Sequence, residues 1–151
     1  MMGDAYTETT FDDGRGHVVA RREAQMLTLV VRGYAEEAMV HWYIREFHAF
    51  LDGLTRKADV FHDWSAVTGF SSDARRVYLK WGRERNAFNR GVCRGVHVLA
   101  DSTLVYLALE AASTFAGGYL TAYRSRRAFE LEREAHLRKP SPEPIAKFEA
   151  R

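Results

Sequence analysis

The stretch Asp59-Val-Phe-His-Asp-Trp-Ser-Ala-Val-Thr-Gly-Phe-Ser-Ser-Asp-Ala-Arg-Arg76 decides the fold class of this chain. Its apolar start, Val60 to Trp64, predicts a buried strand, and Thr68-Gly69 predicts the short loop that ends this strand. The Ser71-Ser-Asp73 sequence is typical of a helix N-cap. Because ligands of open α/β sheets bind at the carboxyl ends of strands, we expect function at this junction.

The segments on either side alternate between strand and helix patterns. His17 to Glu23 and Met26 to Tyr34 are β-branched runs around a break at Ala24-Gln25, which predicts an antiparallel hairpin whose second strand ends at Gly33. Apolar periodicity, caps and breaks then predict helices over 35–54, 74–88, 103–116 and 125–139, and strands over 92–100 and 119–123.

The resulting order, ββαβαβαβα, sets the architecture. Helices between apolar strands require crossover connections, so we expect an α/β fold with a mixed, mostly parallel sheet of about five strands, an N-terminal antiparallel hairpin and about four helices. With 151 residues, 46% of them hydrophobic, the chain fits one core. We expect a single domain over 17–139, a flexible segment at 1–16 and a Pro-rich tail at 140–151.

Composition excludes several classes of protein. The single cysteine, Cys93, excludes an internal disulfide and cysteine-rich zinc sites, and it favours a reducing compartment such as the cytoplasm. The apolar stretch Leu104 to Ala112 is interrupted by Glu110 and is too short to span a bilayer. A net charge of +2 does not demand a nucleic-acid partner, and no nucleic-acid motif accompanies the basic residues, so we expect no such partner.

The hairpin, the long first helix and the segment Asp63-Trp-Ser-Ala-Val-Thr-Gly-Phe-Ser-Ser72 resemble the STAS fold of anti-sigma-factor antagonists, and more narrowly the bacterial SpoIIAA-like family. In the antagonists this segment reads Asp-Leu-Ser, two or three variable residues, a hydrophobic pair and then Asp-Ser-Ser-Gly before the helix, and the first Ser of that last motif is phosphorylated by a partner kinase. By position, Asp63, Ser65 and Val67 match the pattern, and Ser72 takes the place of the phosphorylated residue. The resemblance covers residues 17–138.

The chain departs from the pattern beside Ser72. Ser71 stands where the antagonists have Asp, and Asp73 and Ala74 occupy the positions of the second Ser and the Gly. The resemblance implies a regulatory loop formed by Asp63, Ser65, Thr68, Gly69, Ser71 and Ser72. The alternative is that Ser71 and Ser72 are only helix caps, worth roughly 0.5–2 kcal/mol. A phosphate there is favoured by the helix dipole and opposed by the charge of Asp73.

Two functions follow from the resemblance. The first is a non-enzymatic regulatory module that binds a protein partner and is switched at the Ser71/Ser72 loop. The alternative arises because the SpoIIAA-like family is similar to CRAL-TRIO lipid-transfer domains: a carrier or sensor of a small apolar, lipid-like ligand that associates with a membrane surface. The resemblance also implies a small cytoplasmic protein that is often a homodimer.

Two sets of side chains bear on this choice. A basic surface on the second predicted helix is either a solvated face or a site for an acidic protein partner or anionic membrane; it comprises Arg75, Arg76, Lys80, Arg83 and Arg85. Aromatic residues either fill the core or line an apolar pocket of roughly 300 Å³; they are Trp42, Tyr43, Phe47, Trp64, Tyr78 and Trp81.

The titratable residues give no catalytic or metal-binding pattern. His62 and Asp63 alternate along a strand and point to opposite faces, which argues against a catalytic pair, so Asp63 is expected to accept hydrogen bonds from loop amides. His41 and His48 are two helical turns apart, roughly 10 Å, too far to bind one ion. We expect Cys93 to be buried and inert. The sequence therefore predicts no enzyme activity, no cofactor and no metal site.

Overall fold

The computed structural model describes residues 6–23, 25–102, 120–139 and 144–145. Its elements are β1 (Thr7–Asp12), β2 (Gly16–Glu23), β3 (Met26–Ala35), α1 (Glu37–Asp52), β4 (Ala58–Phe70), α2 (Ser72–Val92), β5 (Cys93–Leu99), β6 (Leu120–Tyr123) and α3 (Arg126–Arg138). The alternation of strands and helices confirms the predicted α/β class. The helix predicted over 103–116 lies outside the described residues.

The strands form one mixed sheet in the order β1-β2-β3-β4-β5-β6. The β1–β2 and β2–β3 pairs are antiparallel, and the pairs from β3 to β6 are parallel. The predicted hairpin is thus confirmed, and parallel strands follow it as the crossover rule requires.

β1 was not predicted, and it lies within 1–16, where the sequence analysis expects a flexible segment. Thr7–Asp12 pairs along its whole length with β2, from Thr7 opposite Arg22 to Asp12 opposite His17. Its side chains are exposed except for the partly buried Phe11, so the strand carries no apolar alternation that periodicity could detect. The sheet therefore begins before the predicted domain limit at residue 17.

β4 is the buried centre of the sheet. Residues 58–63 are all buried, and Val60 and Phe61 are completely inaccessible to solvent. Because side chains alternate along a strand, Val60 packs on the side of α1 and α2, whereas Phe61 packs on the side of α3. Helices thus cover both faces of the sheet, as parallel strands require.

Two apolar clusters hold these layers together. α1 packs Met39, Tyr43 and Phe47 against Val60, and Phe129 of α3 packs against Phe61 with ring centroids 5.4 Å apart. Each fully buried large side chain contributes about 1.5–3 kcal/mol. Within the described part of the chain, the helices are too short or too polar to cross a lipid bilayer.

Gly33 lies inside β3 and does not end the strand as predicted. It has a φ of 80°, and a Cβ at this position would lie 2.2 Å from the backbone oxygen of Arg15. The residue is glycine because two backbones approach closely here, and β3 continues to Ala35.

Part of the predicted Pro-rich tail lies against the domain. Pro144 forms an isolated antiparallel bridge with Arg56, and the backbone N–H of Ile145 donates to the oxygen of Thr55 at 3.3 Å. The partly buried Ile145 side chain packs against the apolar cluster that contains Val60. The domain limit at 139 stays a prediction.

Candidate functional site

The residues that connect the buried part of β4 to α2 are strand. β4 continues to Phe70 because β3 runs beside it as far as Ala35. Gly69 lies against the ring of Tyr34, and a Cβ at this position would come within 3.2 Å of that ring. The predicted loop at Thr68-Gly69 is therefore wrong: the glycine marks a close approach within the sheet rather than a turn.

The two serines at the start of α2 have different environments. Ser71 is the N-cap: its Oγ accepts a hydrogen bond from the backbone N–H of Ala74 at 3.1 Å. Ser72 is the first residue of the helix and is exposed. Asp73 forms an ion pair with Arg76 at 2.8 Å. Capping thus belongs to Ser71, whereas Ser72 lies exposed beside it.

Asp63 anchors a small polar network on the side of α3. It accepts from Ser65 Oγ at 2.6 Å and from the Ser65 backbone N–H at 3.0 Å, so its partner lies within β4 and not in a loop as the sequence predicted. Arg126 of α3 donates to Asp63 at 3.0 Å and to Ser65 Oγ at 2.8 Å. Burial acts to raise the pKa of Asp63, but the hydrogen bonds from Ser65 and Arg126 outweigh it, and the pKa lies below its ordinary value.

One face of α2 carries an exposed basic stripe with a leucine at its centre. Leu79 is 48% exposed, and residues three and four positions away along the helix share its face. Phe70, at the end of β4, is 41% exposed. We call this region the α2 surface, and it comprises Phe70, Ser72, Arg75, Arg76, Leu79, Lys80 and Arg83. Arg85, which the sequence grouped with these residues, is half-buried and stacks over the ring of Phe88 at 4.1 Å.

A cleft of about 290 Å³ opens next to the α2 surface, at the carboxyl ends of β4 and β5. Its walls are formed by residues of 64–70 and 100–102, with both polar and apolar side chains. Phe70 lies at the junction of the cleft and the α2 surface. The cleft is where open α/β sheets place ligands, so the two features form one candidate recognition region.

The aromatic residues predicted to line a large pocket pack against one another. Tyr43 makes edge contacts with Tyr78 and Trp81, with ring centroids 6.2 Å and 6.4 Å apart. Tyr78 lies tilted against Trp81 at 5.8 Å, and Phe47 makes an edge contact with Trp81 at 5.3 Å. The apolar pocket beside them, which Trp64 also lines, holds about 30 Å³, room for roughly one water molecule. Its volume is a tenth of the roughly 300 Å³ that a lipid-like ligand requires.

Trp42, the sixth residue of that predicted pocket, lies elsewhere. It packs against Phe11 of the edge strand β1, with ring centroids 5.8 Å apart. Trp42 therefore joins α1 to an element that the sequence did not predict.

The other candidates occupy structural positions. His41 pairs with Glu37 on the exposed side of α1, and His48 accepts a hydrogen bond from Trp81 at 2.9 Å. Burial and the nearby Arg85 lower the pKa of His48. Cys93 is buried at the start of β5.

Sequence reasoning missed two buried polar groups. His62 is hydrogen-bonded to Tyr43 inside the aromatic cluster, and burial lowers the pKa of His62 to about 3. On the opposite face of the sheet, Asp59, His97 and His136 come together from distant parts of the chain. No sequence spacing links these three residues, since each comes from a different element.

Comparison with known proteins identifies the fold. No protein-family model and no curated protein matches the chain. An uncharacterized protein of the DUF3478 family from Shewanella loihica PV-4, whose fold is SpoIIAA-like, has a TM-score of 0.58 at 16% identity, over 87% of this chain and 98% of that one. The anti-sigma factor antagonist SpoIIAA in its unphosphorylated form has a TM-score of 0.49 at 10% identity, over 87% and 98% of the two chains.

The match to the Shewanella protein extends over nearly the whole of both chains, and the mixed sheet agrees with the resemblance seen in the sequence. The low identity limits this conclusion to architecture. The protein has a SpoIIAA-like fold.

Proposed function

We propose that this protein is a non-enzymatic regulatory module that binds a protein partner through the α2 surface and is switched by charge at Ser72. The observation that supports this function is the exposed Leu79 within a stripe of arginines, beside the exposed Phe70. Large apolar side chains anchor protein interfaces, whereas surrounding charges select the partner and speed its approach.

The chemistry of the surface defines the partner. Arg75 and Arg83 are exposed one helical turn before and after Leu79. A complementary partner presents an apolar side chain flanked by Asp or Glu. The adjacent cleft, with its mixed walls, offers room for one further side chain of such a partner.

The position of Ser72 makes the surface switchable. A phosphate at the first residue of a helix is favoured by the dipole and by Arg75 and Arg76, although Asp73, which pairs with Arg76, opposes it. The phosphate adds nearly two negative charges at neutral pH. Those charges would offset the basic stripe and repel an acidic partner. Ser71 keeps the cap in either state, so the switch leaves the fold unchanged.

The test uses the wild type, Ser72→Ala and Ser72→Asp as baits in lysate from the source organism. We expect the wild type and Ser72→Ala to retain the same partner and Ser72→Asp to lose it. Identical partner sets for all three baits would contradict the proposed switch.

Ser71→Ala is the matched control, because it removes the cap and leaves Ser72 in place. It should lower the free energy of unfolding by about 1 kcal/mol, whereas Ser72→Ala should change it by less than about 0.5 kcal/mol. The Ser71 variant should still bind the partner well below its melting temperature.

A further inference from the structure

Three potential metal ligands meet between β4, β5 and α3. Asp59, His97 and His136 each offer a ligand atom, and these atoms all lie within 4.8 Å of one another. His136 Nε2 lies 3.6 Å from the Asp59 carboxylate. Tetrahedral zinc, with ligands at about 2.0–2.1 Å, places its ligand atoms roughly 3.4 Å apart, so small side-chain movements close this set around one ion.

The second nitrogen of each histidine ring is already engaged. His136 Nδ1 lies 2.8 Å from the backbone oxygen of Glu132, and because a carbonyl only accepts, Nδ1 carries the proton. His97 Nδ1 lies 2.9 Å from the hydroxyl of Tyr123, whose oxygen can accept in the same way. Metal-binding histidines are oriented by such hydrogen bonds, which leave Nε2 as the ligand atom.

The contact between His136 and Asp59 leaves a position for an ion. His136 Nε2 faces a carboxylate oxygen of Asp59 at 3.6 Å, while Nδ1 of the same ring is engaged by the backbone oxygen of Glu132. A metal ion between Nε2 and the carboxylate would take both as ligands.

We propose that Asp59, His97 and His136 form a binding site for Zn²⁺ or a chemically similar divalent transition-metal ion. Two imidazoles and one carboxylate are a frequent ligand set for such ions, with a fourth position left for water. Mg²⁺ and Ca²⁺ prefer oxygen ligands and are not expected here.

The surroundings support the site. Phe61 stacks on His97 with ring centroids 4.2 Å apart and meets the ring of His136 at 5.6 Å, so an apolar wall restricts both rings. Arg94 holds Asp59 through both oxygens, at 2.9 Å and 2.5 Å. A carboxylate has about four lone-pair positions, so Asp59 retains capacity for an ion, although the charge of Arg94 lowers the affinity.

Metal binding would join two strands to the C-terminal part of α3. An ion that binds the folded state alone raises the melting temperature in proportion to the logarithm of its concentration. The site lies on the face of the sheet opposite α2, so its occupancy and the proposed partner binding can be measured separately.

The test is calorimetric titration of the full chain with ZnCl₂ after chelator treatment. We expect one Zn²⁺ per chain, a higher melting temperature with Zn²⁺, and no such effect of Mg²⁺. With Co²⁺, the visible absorption of a four- or five-coordinate ion should develop at the same stoichiometry.

His136→Gln is the informative variant, because the His136 side chain is 17% exposed and its loss leaves the buried Asp59–Arg94 pair in place. We expect the Zn²⁺ affinity of His136→Gln to be roughly 100-fold below that of the wild type. Tyr123→Phe keeps all three ligands, and we expect its Zn²⁺ affinity to fall roughly 10-fold. His41→Gln, on the exposed side of α1, should bind as the wild type does. Absence of one-to-one binding, or equal affinity of His136→Gln and the wild type, would contradict the proposed site.

Discussion

The two faces of the sheet are held by different interactions. On the face covered by α1 and α2, aromatic rings pack around a single buried histidine, His62. On the face covered by α3, Phe129 is the buried apolar residue of the helix, Leu137 packs beside it, and polar side chains of the helix bind charged residues of the strands. The ion pairs are Arg133–Glu23 and Arg126–Asp63, and His136 faces Asp59 at 3.6 Å.

This difference assigns separate roles to the two faces. Apolar packing is non-directional and insensitive to salt, so the α1/α2 face supplies stability and supports an outer surface that is available for binding. Buried ion pairs depend on geometry, and loss of one partner leaves an uncompensated charge. The stability that the α3 face contributes should therefore depend on added ions more strongly than the stability that the α1/α2 face contributes.

The largest expected effect follows from placing a charge in the aromatic face. Val60 is completely buried beneath α1, so Val60→Asp buries an unpaired carboxylate and should abolish cooperative folding. Val60→Ala leaves only a cavity and should lower the free energy of unfolding by about 2 kcal/mol. Circular dichroism during thermal unfolding distinguishes the two, and a soluble, cooperative Val60→Asp protein would refute this placement of β4.

A second prediction concerns acid stability. The pKa of His62 lies at about 3 in the folded protein, below the ordinary value of 6.5, because burial disfavours the charged ring. The unfolded chain therefore binds the extra proton first as the pH falls. The contribution of His62 to stability is complete above its unfolded pKa and is lost as the pH falls toward 3.

His62→Gln tests this directly, since glutamine stays neutral and can still hydrogen-bond to Tyr43. Urea unfolding at about pH 7.5 and about pH 4.5 should show the wild type losing about 3 kcal/mol more than the variant between these conditions. His97, whose pKa burial and the neighbouring His136 and Arg94 lower to about 4, adds a loss common to both proteins. Equal losses in both proteins would mean that His62 is not neutral in the fold.

The smallest expected effect comes from the α3 face. Arg133 is mostly buried and donates to Glu23 and, at 3.0 Å, to Thr28 Oγ1. Arg133→Met should lower the free energy of unfolding by about 2 kcal/mol, because Glu23 and Thr28 lose their partner. High salt should reduce the difference in free energy of unfolding between Arg133→Met and the wild type, because salt screens the ion pair.

Arg127→Met is the matched control for Arg133, since Arg127 is an exposed arginine on the same helix. It should change stability by less than about 0.5 kcal/mol in urea unfolding. If both variants were equally stable, the contacts of Arg133 with Glu23 and Thr28 would contribute nothing measurable, and the contrast between the two faces would not hold.

The fold was predictable where the sequence carries a strong period. The apolar run of β4, the hairpin, and the amphipathic faces of α1 and α2 gave the α/β class and the mixed sheet. β1 was not predicted because an edge strand with mostly exposed side chains has no apolar alternation. The extent of β4 was misjudged because Gly69 is the usual signal of a turn, whereas here it makes room for Tyr34.

The candidate site was predictable only where its residues are neighbours in the chain. Ser71 and Ser72 lie at the start of α2, and the basic stripe lies further along the same helix. The capping pattern therefore located the serines, and helical spacing located the stripe. Which serine caps the helix is decided by one hydrogen bond, from Ala74 to Ser71. The cluster of Asp59, His97 and His136 depends on strand order and on the docking of α3, which no local pattern encodes.

The central claim is that the α2 surface binds a partner, and two matched leucines test it most directly. Leu79 on α2 is 48% exposed and Leu131 on α3 is 54% exposed, on opposite sides of the sheet. A photoreactive amino acid would replace each in turn in living cells of the source organism. We predict a partner adduct from position 79 that Ser72→Asp abolishes, and none from position 131. Equal adducts from both positions, or an adduct from 131 alone, would contradict the claim.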